Sequence, residues 1–458
     1  MNEKLALRQY QRDAGKFVLD KKACYLALDM GLGKTAISLA ASQKIIPIIK
    51  SGVLIVAPLR GMYLTWPDEC AKWTPTLSYA VLHGADKKNK LKEKKNLYFI
   101  NYDGLPWLFE ALRDVFKTTK TLPFRALVLD EGSMVKSSRT KRFKILKKLL
   151  KVFPEYRWIL SGTPAPNSLA DLWSQYYLLD EGNRLGHSFS GFRSKYFTQV
   201  DKQGFVWAIK PGSADEIHSV VADITYRLDA ADHLELPERI DNIIKVPLNT
   251  QQRAQYLKLE KEFFLALDGI EVEVFNKATL SMKLRQFLQG ALYIDDKKNY
   301  EIVHEEKLKV LKELVETANG QGILCAIQFR FELDIICKAF PGTPFIAGGT
   351  SSEKATKYMR AWNRGEIPLL LCHPASLSHS VNIQAGSHII VWYGLTWSQE
   401  QFQQLNARLI RYGQKSPFVI VHHLVIEKSV DERMLAVLKR KFATQKDFLD
   451  FLRGYNHE

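Results

Sequence analysis

The feature that most constrains this chain is a series of short, uninterrupted apolar runs. They are GVLIVAP (52–58), LYFINYDG (97–104), ALVLDEG (126–132), RWILSGTP (157–164), GILCAIQF (322–329), PLLLCHPAS (368–376), HIIVWYG (388–394) and FVIVHHLV (418–425). Each ends abruptly in small, polar or charged residues. Continuous Val/Ile/Leu runs without polar alternation are the mark of parallel strands covered on both faces. Between them lie amphipathic stretches of helical period, such as ALRDVFKTTK, KRFKILKKLLKVF and EEKLKVLKELVETA. Strands alternating with helices predict βαβ units, an α/β fold, and ligands gathered at the carboxyl ends of the strands. The strands cluster before about residue 165 and after about residue 320, which predicts two lobes, 1–230 and 231–458, meeting near YRLDAADHLELP. A mixed stretch followed by a helical insertion, about 249–300, lies between the clusters, and 428–452 reads as packing helices that brace the two lobes.

The formal charge of +16 favours a polyanionic partner, because each phosphate neutralised releases condensed counterions. No apolar run approaches the roughly 20 residues that span a bilayer, and MNEKLALRQYQRD lacks the apolar core of a signal peptide. The five cysteines are scattered, odd in number and form no CxxC pair. Both points predict a soluble protein in a reducing, cytoplasmic compartment. The histidine pairs His422–His423 and His373–His379 have no companions at ligand spacing, which argues against a transition-metal site. The lysine run KKNKLKEKK (87–95) reads as a solvated helix face.

The chemistry begins at CYLALDMGLGKTAISLA (24–40), a strand, a glycine loop and a helix start. Gly31 and Gly33 permit a tight turn with the backbone close to a ligand, and amides at the helix start point at phosphate oxygens. Lys34 is placed to reach the β and γ phosphates of a nucleotide, and the Thr35 hydroxyl to ligate Mg²⁺. The strict GxxxxGK[ST] spacing fails because Leu28 stands at the first glycine position. Farther along, Asp130 and Glu131 close an apolar strand, a pairing that suits Mg²⁺ coordination by the first and orientation or deprotonation of the attacking water by the second.

In order and spacing, LRQYQ (7–11), DMGLGKT (29–35), LIVAPL (54–59), DEGS (130–133) and LSGTPAPNSLADLW (160–173) resemble the Swi/Snf-like family of superfamily-two helicase-like ATPases. The resemblance implies two tandem RecA-like lobes, ATP and Mg²⁺ as cofactors, and DNA as partner. Gln11 then resembles the glutamine that reads adenine, and Ser161, Gly162 and Thr163 match the motif coupling hydrolysis to nucleic acid. Pro58, Leu59 and Arg60 resemble the strand-end loop that touches the DNA backbone. One departure stands out: the acidic box usually continues Ala-His, and here Gly132 and Ser133 follow, the serine keeping a hydrogen-bond donor.

The resemblance extends through the second half. QFQQLNARLIRYGQ (401–414) matches the last motif, with Gln404 toward the nucleotide and Arg408 and Arg411 three apart, on one face if helical. An arginine's planar fork suits charge developing on a transferring phosphoryl group. In this family such arginines come from lobe two onto ATP held by lobe one. Gln328 and Phe329, Gly349 and Thr350, Asn382 and Trp397 fall where the family places DNA contacts, Trp397 as an exposed aromatic for stacking or wedging. Ser376, Ser378, Ser380 and Val381 stand where the family carries glycines and a leucine, leaving only Asn382 of that motif. The expected function is an ATP-driven translocase on double-stranded DNA, of compact bacterial or bacteriophage type. A strand-separating DNA or RNA helicase and an ATP-gated DNA-binding module that recruits a nuclease or fork partner remain open.

Overall fold

The computed structural model describes residues 6–59, 61–153, 155–166, 168–200, 207–267, 282–295, 299–377 and 382–441. They divide into two compact units between Glu235 and Leu236, the second running to Arg440.

The first unit is built on β1 (Ala23–Leu28), β2 (Gly52–Ala57), β3 (Tyr79–Val81), β4 (Leu97–Asn101), β5 (Phe124–Asp130) and β6 (Arg157–Ser161). A small antiparallel hairpin, β7 (Phe197–Gln199) with β8 (Trp207–Ile209), precedes the last strand, β9 (Thr225–Leu228). Seven of these form one sheet in the order β3-β4-β2-β5-β6-β1-β9. Every pairing in it is parallel. Helices cover both faces, so β2 and β4 are buried along their whole length and need no polar side. Each Val, Leu, Ile or Phe so buried contributes about 1.5–3 kcal/mol. β5, β6 and β1 are consecutive in the sheet, and their carboxyl ends carry Asp130, Ser161 and the glycine loop to one edge of it.

The second unit contains β10 (Glu238–Val246), a hairpin of β11 (Ala291–Tyr293) and β12 (Tyr300–Ile302), then β13 (Ile323–Ala326), β14 (Phe345–Ile346), β15 (Leu369–Cys372), β16 (Ile389–Trp392) and β17 (Phe418–Ile426). Its six-stranded sheet runs β10-β17-β16-β13-β15-β14, again all parallel. The insertion expected at 249–300 is helical over Thr250–Leu267 and 282–288 but ends in the β11–β12 hairpin, and 268–281 lie outside the described residues. Of the tail, 430–441 are helical, and the rest of 428–452 beyond residue 441 is outside the described set.

His423 has a carboxylate beside it in the fold, from a strand residue 182 positions away in sequence. Parallel pairing of β10 and β17 brings its Nε2 to 2.8 Å from Asp241 Oδ1. Burial pushes the Asp241 carboxyl up, but the bonds from His423 and Arg239 outweigh it and hold it at about 2.

The core of the second unit also encloses charge. Lys307 and Asp431 form a 2.7 Å pair with both side chains sealed from solvent. Nearby, burial pushes the His304 imidazole down to about 4, with Lys307 adding to the effect. Burial pushes the Glu332 carboxyl up to about 8 against the amides of Gln328 and Phe329 and the charges of Lys307 and Arg285. The two groups act in opposite directions on stability. As pH falls from 6.5 toward 4, the unfolded chain binds a proton at His304 that the folded chain refuses, so stability is lost. As pH rises from 4.5 toward 8, the unfolded chain releases the Glu332 proton that the folded chain keeps, and stability is lost again. Glu332→Gln keeps the shape and removes the second loss, so it should stabilise the protein by roughly 3 kcal/mol at pH 8 and by little at pH 5. Urea melts at the two pH values check this; equal shifts at both would refute it.

Candidate active site

The glycine loop hangs between the end of β1 and the helix Lys34–Ile49. Gly31 (φ +90°) and Gly33 (φ +83°) both adopt backbone that side chains resist. At Gly33 there is a second reason: a methyl group there would collide with the Gln11 side-chain amide. Gln11, on the helix Gln9–Lys21, bridges the loop by donating from Nε2 to the Leu32 carbonyl (3.1 Å), while its Oε1 accepts from the Arg8 amide (2.9 Å). Beside it the rings of Tyr10 and His233 stack at 4.6 Å. Lys34 Nζ donates to the carbonyls of Leu28 (2.7 Å) and Asp29 (3.2 Å), and Thr35 follows in the first turn of the helix.

One support of this loop escaped the sequence reading. Arg227 on β9, with its side chain buried, is ion-paired to Asp29 at 3.0 Å and to Asp229, and donates to the carbonyls of Ala27 and Leu228, each at 2.9 Å. The other Asp29 oxygen accepts the Ala230 amide at 3.1 Å. Nothing in a single sequence joins residues 198 apart, although a lone arginine inside an apolar strand is itself a signal of a buried partner.

At the end of β5, Asp130 and Glu131 lie on the same edge. Glu131 sits at φ +62°, a left-handed conformation uncommon outside glycine and concentrated at functional sites. Its Oε1 accepts from the hydroxyls of Ser133 (3.1 Å) and Ser161 (3.5 Å). Ser161 Oγ in turn accepts the Thr163 amide at 3.0 Å, and Gly162 packs where an added Cβ would lie 3.3 Å from the Leu28 carbonyl. Ser133, which stands where the resembled family usually carries histidine, therefore holds the carboxylate beside it. Gly132 has its own cause: a methyl group there would strike Ile159 and lie 3.1 Å from the Tyr25 hydroxyl.

Asp130 Oδ2 accepts the indole N–H of Trp66 at 2.9 Å, and its carbonyl accepts the Tyr102 hydroxyl at 2.8 Å. Burial pushes the Asp130 carboxyl up, opposed by Trp66 and Lys34. Burial likewise pushes Lys34 down, opposed by Glu131, Asp130 and Asp29. A phosphate chain and a divalent cation would answer these unbalanced charges. Among the described residues no three His, Cys, Asp or Glu side chains gather into a metal cage. A hydroxyl and a carboxylate at a phosphate loop are the donor set of Mg²⁺, which takes few protein ligands and the rest from phosphates and water.

Among the expected nucleic-acid contacts in this unit, Leu59 is exposed and Arg60 lies outside the described residues. In the second unit, Gln328 and Phe329 follow β13; the Gln328 amide donates to Glu332 at 2.8 Å, and Phe329 stacks on Phe331 at 5.3 Å. Gly349 (φ +88°) and Thr350 form a turn in which the Thr350 hydroxyl accepts the Ala347 amide at 3.1 Å. Asn382 is exposed, and its Oδ1 accepts from Arg411 Nη1 at 2.7 Å. Residues 378–381, and with them Ser378, Ser380 and Val381, lie outside the described set. Trp397 differs from expectation: it packs half-buried against the hydrophobic core, so its ring is only partly open to a ligand.

Arg408 and Arg411 do not share a helical face. The helix Gln399–Asn406 stops before them, and the chain continues in tight turns, Arg408 N to Leu405 O and Arg411 N to Leu409 O, both 3.0 Å, toward Gly413 at φ +86°. Arg408 is buried, its Nε donating to the Gln404 carbonyl at 3.2 Å. Among the described residues the buried Gln404 side-chain nitrogen has no hydrogen-bond partner. Burial lowers the Arg411 guanidinium below its usual range.

The SNF2-related domain matches residues 7–293, more than half of the chain. The chain belongs to the SNF2-related family. The helicase conserved C-terminal domain matches residues 306–413 of this SNF2-related chain. Protein p41 of Acyrthosiphon pisum secondary endosymbiont phage 1 is 34% identical over 97% of this chain and 98% of its own length. YwqA of Bacillus subtilis, provisionally named an ATP-dependent helicase/translocase, is 26% identical over 95% of this chain, which spans 48% of YwqA. The solved SWI2/SNF2 ATPase core of Sulfolobus solfataricus in complex with dsDNA is 24% identical over 97% of this chain and 93% of that one, with a TM-score of 0.45. The SNF2-related protein is thus a helicase-like, DNA-dependent ATPase with two parallel-sheet lobes. No helix among its described residues is long and apolar enough to cross a membrane.

Proposed function

We propose that this chain is a minimal ATP-driven translocase on double-stranded DNA. The observation that carries the reading is the convergence, at one sheet edge, of Lys34, Asp130, Glu131 and Ser161, with Glu131 held by two serines. Gly31, Gly33 and Lys34 bind the phosphates and Gln11 reads the adenine. Thr35 and Asp130 would hold Mg²⁺, which when bound would neutralise phosphate charge. Glu131 orients the attacking water and takes its proton. Ser161, Gly162 and Thr163 pass the state of that carboxylate to the nucleic-acid side. Gln404 takes part in nucleotide binding, and Arg408 and Arg411 stabilise charge on the transferring phosphoryl group. Leu59, Arg60, Gln328, Phe329, Gly349, Thr350, Asn382 and Trp397 contact DNA, largely at its backbone, so sequence preference is weak. The charge of +16 and the helicase/translocase name of a relative support the choice of substrate.

The test is a panel of ATPase rates on linear duplex, forked, single-stranded and RNA substrates at two salt concentrations. Duplex DNA should stimulate turnover at least about tenfold, and the concentration giving half-stimulation should rise steeply between 50 and 200 mM salt, in the manner of about six or more phosphate contacts. Stimulation by single-stranded RNA but not by duplex DNA overturns the proposal. ATP-dependent displacement of a labelled strand would replace it with a strand-separating helicase.

A further inference from the structure

Between β2 and the helix Trp66–Trp73 the chain makes a single π-helical turn, Gly61–Thr65. Such turns are rare, cost hydrogen-bond geometry, and collect at functional sites. On its outer side Leu59 is 46% exposed and Tyr63 43%. The Tyr63 hydroxyl lies 2.7 Å from His83 Nδ1, with the two rings edge to face, so the exposed tyrosine is held in place. On its inner side Trp66 is completely buried, tilted against Phe99 at 6.1 Å, with its indole N–H on Asp130 Oδ2 at 2.9 Å. The Asp130 backbone is fixed independently by the Tyr102 hydroxyl. The indole is the side-chain donor on the carboxylate itself, beside the backbone amide of Glu131.

We propose that Trp66 is a positioning residue that joins polynucleotide contact on the Gly61–Thr65 turn to the metal-binding carboxylate of Asp130. The inference rests on the assignment of Asp130 to Mg²⁺ made above. A polynucleotide pressing on Leu59 and Tyr63 moves a turn whose next residue is Trp66, and any shift of the indole turns the Asp130 carboxylate with it. An indole N–H can donate one bond only, so the link has no alternative route through that side chain.

Trp66→Phe keeps a buried ring and removes the donor. Binding of a fluorescent, non-hydrolysable ATP analogue is measured with and without Mg²⁺, beside the ratio of duplex-stimulated to unstimulated turnover. The Mg²⁺ concentration for half-maximal analogue binding should rise about tenfold, the low end of a lost bond to a charged group. Analogue binding without Mg²⁺ should stay within about twofold, since Lys34 and Gln11 carry it. The stimulation ratio should fall about threefold or more. Trp66→His, which retains an N–H, should recover part of both. Tyr63→Ala should lower stimulation and leave the Mg²⁺ requirement unchanged. An unchanged Mg²⁺ requirement in Trp66→Phe, or equal weakening of binding with and without the metal, assigns the ring to packing and overturns the inference. If Tyr63→Ala is stimulated like the parent, the turn is not the contact and the inference falls. Should the parent respond to no polynucleotide at all, the translocase reading fails, while the Mg²⁺ measurement still decides the Trp66–Asp130 link.

Discussion

Glu131→Gln should lower DNA-stimulated ATP turnover by about 10³-fold while changing nucleotide affinity no more than a few fold. The exchange is nearly isosteric, and the Ser133 and Ser161 hydroxyls that now donate to Oε1 can donate equally to an amide oxygen. What disappears is the basic lone pair. The left-handed backbone at φ +62° is imposed by the turn into Gly132–Val135 and is open to glutamine as much as to glutamate. Steady-state turnover and equilibrium binding of labelled ATP, measured on one preparation, separate the two effects. A fall of less than about tenfold would mean that water is activated elsewhere. The same variant distinguishes a motor from an ATP-gated switch, because a switch would retain ATP-dependent DNA binding undiminished while doing no work in either form.

The second large effect is expected at the arginines. Arg408→Ala and Arg411→Ala should each reduce turnover by about 10³-fold, with the ATP concentration at half-maximal rate little altered, because an arginine serving the transition state adds little to ground-state binding. Their surroundings set the controls. Arg408 is buried against the Gln404 carbonyl, so its replacement needs a thermal melt to exclude local unfolding. Arg411 is steered by Asn382, so Asn382→Ala should reproduce part of the Arg411 defect without touching the guanidinium. Turnover untouched in either arginine variant would refute the assignment and, with it, the motor.

What could be read from sequence follows from how each strand is buried. β1, β2, β4, β5, β6, β13, β15, β16 and β17 sit inside parallel sheets with helices on either side, and their apolar runs are conspicuous for that reason. β3 and β14 are edge strands of three and two residues, too short to leave a pattern. β10 is an edge strand, exposed over most of its length, and RIDNIIKV carries the mixed polarity of a half-solvated surface. The candidate site was legible wherever one local segment supplies residues that the fold brings to one sheet edge, as in the loop 29–35, Asp130–Glu131 and Ser161–Thr163. It was illegible where distant segments meet: Arg227 on Asp29, Trp66 on Asp130, Asn382 on Arg411. The condition attached to Arg408 and Arg411, one face if helical, is not met, because the helix ends at Asn406.

The Arg227–Asp29 pair also bears on how the protein comes into being. A chain emerging from the ribosome presents its glycine loop early, but the side chain that braces Asp29 is made about two hundred residues later, on the last strand to join the first sheet. Until β9 docks beside β1, the loop lacks its clamp and the sheet lacks an edge. Competence to hold nucleotide should thus arrive late in synthesis, and fragments of the first unit that stop before β9 should bind ATP more weakly than the whole unit.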